Sequence, residues 1–125
     1  MGGIERFGLP KQGGVPASQA VKADGWLFVA GQVPKNAEGV VGGIAEQARQ
    51  TLDNLMKTLR QAGYGPEDVV KVNVWLDDPR DFAIFNRIYS QYFSIEHAPA
   101  RVTVQGHMMN DFKVEMDCVA WKEPR

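Results

Sequence analysis

The chain has 125 residues, a formal net charge of -1 at pH 7, 44% hydrophobic and 23% charged residues. This length fits a single domain over residues 1–125, and the composition is typical of a globular protein rather than a disordered or membrane-spanning one. The near-neutral charge and the dispersed basic residues give no general attraction to a phosphate backbone, so nucleic acid is not expected as a principal partner.

The sequence also predicts where the protein is located and whether its cysteine is reactive. No apolar run approaches the ~20 residues of a membrane span, and residues 1–14 lack the apolar core of a signal peptide, so we expect a cytoplasmic protein without a membrane contact. Cys118 is the single cysteine. Its position on the apolar side of a predicted strand indicates a small buried hydrophobe rather than a reactive thiol.

The N-terminal third predicts an edge strand and a hairpin. Residues 4–7 are the only segment of the glycine-rich start that suits a short strand. Residues 19–23 and 26–30 flank Asp24-Gly25, the strongest short signal for a β-hairpin with a type I′ turn. Gly31 follows the second strand, where it either admits the close approach of a ligand or backbone, or simply ends the strand. Residues 35–42 read as a loop with a brief strand at Val40 and Val41.

A helix is predicted next. Its apolar residues recur at spacings of three and four, and they form one stripe: Ile44, Ala48, Leu52, Leu55, Met56, Leu59 and Ala62. Gly43 suits the N-cap, Glu46 the third helical position, and Gly63 the C-terminal stop.

Residues 69–76 are almost continuously apolar and predict a central strand covered on both faces. A second helix is expected to begin after Asp78 as its cap, with Pro79 in the first turn, and to end over residues 94–98. Its predicted buried stripe is Phe82, Phe85, Ile88, Tyr89 and Tyr92.

Two alternating segments, residues 99–104 and 113–120, close the chain, and their short connection favours antiparallel neighbours. Arg101 and Thr103 share one side of the first strand, opposite Val102 and Val104. Glu115 shares the polar side of the second strand, so we expect Arg101 and Glu115 to lie near one another.

The predicted elements form an α+β fold, a mixed sheet with both helices on one face. The opposite face would hold Trp26, Trp75 and Trp121, which is more apolar surface than the two helices could cover. A subunit interface on this face is therefore expected.

Arg101 is the strongest candidate for a functional residue, because a guanidinium beside a cleft can bind a carboxylate through two parallel hydrogen bonds. The alternative from the pattern alone is a structural arginine paired with Glu115 or Asp117. The histidines show no ligand spacing with the acidic residues, so no metal site is expected.

The chain resembles the Rid family, the reactive intermediate deaminases also labelled endoribonuclease L-PSP. The matching motifs run over most of the sequence: Gly31-Gln32-Val33-Pro34, Glu46-Gln47, Asn54-Leu55, Asp68-Val69-Val70-Lys71, Asp81-Phe82 with Asn86 and Tyr89, Pro99-Ala100-Arg101, and Val114-Glu115-Met116. The resemblance implies a chorismate-mutase-like homotrimer with ligand clefts between subunits.

The family also implies roles for individual residues. Arg101 would hold the carboxylate of a small imino or 2-oxo acid, and Glu115 would position the attacking water, with Gly31 and Thr103 completing the site without metal or organic cofactor. Ala17 and Ala30 occupy two further substrate-binding positions, where established deaminases tend to carry tyrosine and serine. The chain therefore resembles a divergent member.

The resemblance favours hydrolysis of 2-aminoacrylate-type enamines and imines to 2-oxo acids and ammonia. The alternative is a non-catalytic trimer that binds small carboxylates or partner proteins. The ribonuclease activity in the older family label is less favoured by the charge balance.

Overall fold

The computed structural model describes residues 3–40 and 42–124, which form a mixed sheet backed by helices. The strands are β1 (Ile4–Phe7), β2 (Ala20–Ala23), β3 (Trp26–Gln32), β4 (Val69–Leu76), β5 (Ala100–Gln105) and β6 (Val114–Trp121), and the α-helices are α1 (Ile44–Gln61) and α2 (Phe82–Tyr89). Within the described residues the strand order is β1-β2-β3-β6-β4-β5. No helix in this part of the chain is long and apolar enough to cross a membrane.

The predicted hairpin is confirmed. β2 and β3 pair antiparallel around Asp24 and Gly25, whose φ angles of 52° and 95° are the positive values that a type I′ turn requires. β1 pairs with the outer side of β2, as expected for an edge strand. The suggested strand at Val40 and Val41 falls partly outside the described residues, which do not include Val41, and Val40 is not in a strand.

The structure also confirms the first predicted helix, α1. Gly43 is the N-cap, and its backbone N–H donates to Glu46 Oε1 at 2.8 Å, which satisfies one of the amides that the first turn leaves without a helical partner. Its apolar stripe, including Ala48, Leu52 and Leu55, is buried. The helix packs across β3 and β6.

Helix α2 differs from its prediction at both ends. The Asp78 side chain accepts a hydrogen bond from the Arg80 backbone at 2.9 Å, but it caps a 3₁₀ turn over Pro79–Asp81, and the α-helix begins only at Phe82. It ends at Tyr89, before the predicted end, and the chain continues in turns. Phe82 is 49% exposed rather than buried.

The prediction that the last two strands are neighbours is wrong. β4 lies between them, pairing parallel with β5 and antiparallel with β6, so Val72 is aligned with both Arg101 and Cys118. The alternating buried residues of β4 and β6 complete the centre of the core. β5 has no fully buried residue, so it fits the edge of the sheet rather than its centre.

Both helices cover the same face of the sheet, as predicted, and one apolar cluster joins them to β3, β4 and β6. Cys118 is in this cluster, and burial raises the pKa of its thiol to about 12, which confirms that it acts as a small hydrophobe.

The other side of the sheet, which we call the open face, is covered by no helix of residues 3–40 and 42–124. Its register places Trp26, Phe28 and Trp121 together, and they are 43%, 50% and 41% exposed. Lys71, Asn73 and Trp75 of β4 also lie on this face, where Asn73 and Trp75 are half-buried and Lys71 is exposed. The expectation that β4 is covered on both faces is therefore wrong for the single chain.

Candidate functional site

The Arg101 guanidinium packs against three aromatic rings of α2. Its central carbon is 4.5 Å from the centroid of the Tyr89 ring, 5.3 Å from that of Phe85 and 5.9 Å from that of Phe82. The residue is half-buried, on the helix-covered side of the edge strand β5. The rings attract the cation through their negative faces and fix the plane of the guanidinium.

The hydrogen bonds of Arg101 all go to neutral groups. Nε donates to Thr103 Oγ1 at 2.9 Å, and Nη2 donates to Asn86 Oδ1. Nη1 donates no hydrogen bond within residues 3–40 and 42–124, and neither of the ion pairs found there includes this arginine. The half-buried cation is therefore oriented by neutral acceptors and lacks a protein counter-ion in the described part of the chain.

Tyr89 contributes its ring rather than its hydroxyl. The hydroxyl oxygen is buried and has no hydrogen-bond partner among the residues that the structure describes. Burial raises the pKa of the phenol to about 12, and the nearby positive charge of Arg101 only partly opposes that rise. The side chain is a neutral phenol at physiological pH, so it supports the guanidinium through its π-face.

Glu115 and Gly31 meet on the open face. The pairing of β3 with β6 shifts register between Val29 and Gln32, as at a β-bulge, and a Cβ placed on Gly31 would overlap the Oε2 atom of Glu115. The group that approaches Gly31 is therefore a side-chain carboxylate of the adjacent strand, and not the ligand or backbone considered from the sequence. A side chain at this position would displace that carboxylate.

Glu115 is held in a setting that favours its protonated form. Partial burial raises the pKa of its carboxyl, and repulsion from Asp117 on the same strand face raises it further. The Asp117 carboxylate itself accepts a hydrogen bond from Asn73 at 2.9 Å. A carboxyl with a raised pKa and an open side is suited to exchange protons with a bound water.

The expectation that Arg101 and Glu115 lie near one another is wrong within one chain. Arg101 is aligned with Val72 on the helix-covered face, whereas Glu115 is aligned with Trp75 on the open face. β4 also separates the two strands. This arrangement equally excludes a structural pairing of Arg101 with Glu115 or Asp117.

The structure divides the predicted site residues into two groups. Arg101 and Thr103, with Asn86, form what we call the edge half-site on β5 and α2. Gly31 and Glu115 form the face half-site on β3 and β6.

The two alanine positions lie in the N-terminal third of the chain, as does Gly31 of the face half-site. Ala30 precedes Gly31 on β3 and donates its backbone N–H to Gln19 O at 2.9 Å. Ala17 is exposed in the segment before β2. Neither alanine supplies a polar side chain to a ligand.

The sequence pattern assigns no site role to Asn86 or to the aromatic rings that pack against Arg101. The apolar spacing of Phe85 and Tyr89 predicts only a buried stripe. Both residues are indeed buried, and the Arg101 guanidinium additionally stacks on their rings. The signal that could have found them is the position of a polar Asn86 among these aromatic residues on a short helix.

A mixed sheet with helices on one face makes this an α+β protein. The oriented arginine at the edge of the sheet has no counter-ion among the described residues, and such a site is suited to binding a small anion. The family model for endoribonuclease L-PSP matches residues 14–122. The chain is 46% identical over 112 residues to a RutC family protein of Pyrococcus horikoshii, covering 86% of this chain and 88% of that one. It is 38% identical over 113 residues to human 2-iminobutanoate/2-iminopropanoate deaminase, covering 87% and 82%.

The crystal structure of yeast Mmf1 matches with a TM-score of 0.86 and 30% identity, over 97% of this chain and 100% of that one. The chain belongs to the Rid family, also called the endoribonuclease L-PSP family.

Proposed function

We propose that the protein hydrolyses small enamino and imino acids to 2-oxo acids and ammonia. The observation that carries this proposal is the Arg101 guanidinium, which is half-buried, oriented by Thr103 and Asn86, and without a carboxylate partner in the described chain. A cation in this setting is suited to bind the carboxylate of a ligand. The human relative that is named a deaminase supports the same chemistry.

The proposed reaction uses one group from each half-site. Arg101 binds the substrate carboxylate, and Glu115 accepts a proton from a water that adds to the carbon of the C=N bond. Glu115 returns that proton to the nitrogen and gives a carbinolamine. It then takes the hydroxyl proton and passes it to the amino group, so that the C=O bond forms as the C–N bond breaks and ammonia leaves a 2-oxo acid. 2-Aminoacrylate enters the same path after its enamine carbon is protonated to give the imine. The step needs no metal or organic cofactor.

The separation of the half-sites within one chain favours a site built between subunits. In a homotrimer, Arg101 of one subunit would face Gly31 and Glu115 of the next. The exposed apolar residues of the open face, among them Phe28 and Trp121, support burial against further copies of the chain.

The test is the decay of 2-aminoacrylate, generated from serine by a dehydratase and followed with and without the protein. The proposal expects accelerated loss of the enamine and matching release of pyruvate and ammonia. An unchanged decay rate at stoichiometric protein would contradict it.

A second candidate is a trimer that binds small carboxylates without catalysis. The apolar side chains of Ala17 and Ala30 favour it, because they leave out two hydrogen-bonding groups that the resemblance associates with active deaminases. The same experiment separates the two functions, provided that binding of pyruvate is measured by calorimetry on the same preparation. Binding without acceleration supports the second candidate.

A further inference from the structure

A groove of about 860 Å³, which we call the polar groove, lies between α1 and the segment that follows β3. One wall is the side of α1 from Gln50 to Gln61, where the lining residues recur every three or four positions and therefore share one face of the helix. The other wall is formed by residues 33 and 35–37, and Gly8 and Gly31 line the groove at the end of the sheet. The polar groove shares Gly31 with the face half-site and includes no residue of the edge half-site.

Side-chain carboxamides hold the two walls together. Asn36 donates a hydrogen bond to Gln50 Oε1 at 3.0 Å, and Gln50 donates one to Asn54 Oδ1 at 2.9 Å. Asn54 donates in turn to the backbone oxygens of Val33 and Lys35, at 2.8 and 2.9 Å. These bonds shape the groove before any ligand binds, so little free energy is lost in ordering it on binding.

Three cations line the polar groove without a carboxylate partner. Lys35, Lys57 and Arg60 are exposed, and neither of the ion pairs found in residues 3–40 and 42–124 includes them. Asp53 also lines the groove, but its carboxylate accepts a hydrogen bond from the Tyr92 hydroxyl at 2.7 Å. Three cations and one carboxylate leave an excess of two positive charges, which matches the charge of a phosphate monoester near pH 7.

The uncharged part of the lining suits hydroxyl groups rather than a nucleobase. No lining residue is aromatic, so a base would have no ring on which to stack. A carboxamide both donates and accepts hydrogen bonds, as a hydroxyl group does. Six lining residues carry this group, namely Gln19, Gln32, Asn36, Gln50, Asn54 and Gln61.

We propose that the polar groove binds the phosphate monoester of a polyol or small sugar. Lys57 and Arg60 hold the phosphate, because they lie three positions apart on one face of α1, and the carboxamides bind the hydroxyl groups. The volume of the groove is in the usual range for a small-molecule site and exceeds the size of inorganic phosphate. This site does not involve Arg101, so it is independent of the proposed function.

Calorimetry with glucose 6-phosphate, inorganic phosphate, glucose and AMP tests the ligand class. We expect glucose 6-phosphate to bind at one molecule per chain, at least about tenfold more tightly than any of the other three, and to weaken as salt is added. Equal affinities for glucose 6-phosphate and inorganic phosphate would overturn the proposal, and so would tighter binding of AMP.

Variants with one positive charge fewer on α1 test the location. Lys57→Gln changes a residue of the polar groove, and Arg49→Gln is its matched control, because Arg49 is on the same helix but does not line the groove. We expect the Kd for glucose 6-phosphate to rise about fivefold or more in Lys57→Gln and to stay within about twofold of wild type in Arg49→Gln. Equal weakening in both variants would mean that only net charge matters, and it would contradict the proposal.

Arg101→Lys separates this site from the edge half-site. We expect its affinity for glucose 6-phosphate to equal that of the wild type, and a loss of binding in this variant would place the ligand at Arg101 and overturn the proposal. A protein that binds glucose 6-phosphate as expected but does not accelerate the decay of 2-aminoacrylate would support the polar groove while the proposed function fails.

Discussion

At the scale of single residues, the orientation of Arg101 distinguishes it from an ordinary surface arginine. Rings fix the plane of its guanidinium, while Thr103 and Asn86 accept two of its hydrogen bonds without neutralising it. The charge that remains is available to a ligand anion in a partly desolvated position, where its interaction is stronger than in water.

Replacing Arg101 with lysine tests this arrangement. Arg101→Lys keeps the charge but loses the planar fork, so pyruvate affinity should fall about thirtyfold, or ~2 kcal/mol, when measured by calorimetry. The lost bonds to Thr103 and Asn86 should each cost about 1 kcal/mol or less of stability, a modest drop in melting temperature. Arg6→Lys on the opposite edge strand is the control, and undiminished affinity in Arg101→Lys would exclude a bidentate clamp.

The raised pKa of Glu115 predicts the pH dependence of turnover. If its carboxylate is the base, the rate rises with pH through the pKa of Glu115, which lies above the ordinary value of a glutamate. Asp117→Asn removes the repulsive charge, lowers that pKa and should move the acid limb of the kcat profile to lower pH. Asp24→Asn, in the hairpin turn, should leave the profile in place. An acid limb that does not move in Asp117→Asn would mean that Glu115 is not the group being titrated.

At the scale of elements, the bulge between β3 and β6 brings the Glu115 carboxylate over Gly31. Gly31→Ala should displace that carboxylate and lower kcat by at least about tenfold. Stability should change little, because the overlapping atom is the end of a flexible side chain. Gly3→Ala, which meets no atom within 4 Å among the described residues, is the control. Wild-type turnover in Gly31→Ala would show that catalysis does not depend on this glycine.

Elements defined by local signals could be predicted from the sequence, and the pairing of distant strands could not. The Asp24-Gly25 turn and the stripe of α1 depend on neighbouring residues, so their patterns were sufficient. The alternation of apolar and polar residues also predicted which residues of β5 lie on the same face of the strand. It could not tell that Arg101 faces the helices while Glu115 faces away, because that depends on β4 entering between their strands.

At the scale of the molecule, the open face and the divided site both favour the homotrimer. Light scattering coupled to size exclusion should give three times the chain mass of 13.9 kDa. A monomeric mass at micromolar concentration would remove the proposed site between subunits.

Mixed trimers test whether the half-sites come from different subunits. Arg101→Ala and Glu115→Ala should each be inactive alone. Refolded together in equal amounts they should recover about a quarter of wild-type activity, since each mixed trimer then contains one complete site. Each variant refolded by itself is the control. The absence of recovery in correctly assembled trimers would place both residues in the same subunit's site.

The edge position of β5 has a consequence for partial unfolding. Among the residues that the structure describes, this strand is bonded to the sheet through β4 alone, whereas β3, β6 and β4 form a continuous antiparallel centre. β5 can therefore detach by a local opening that leaves this centre intact and requires less free energy than complete unfolding. Such an opening carries Arg101 away from its rings, so in rising denaturant the protein would lose its anion receptor before it loses its fold.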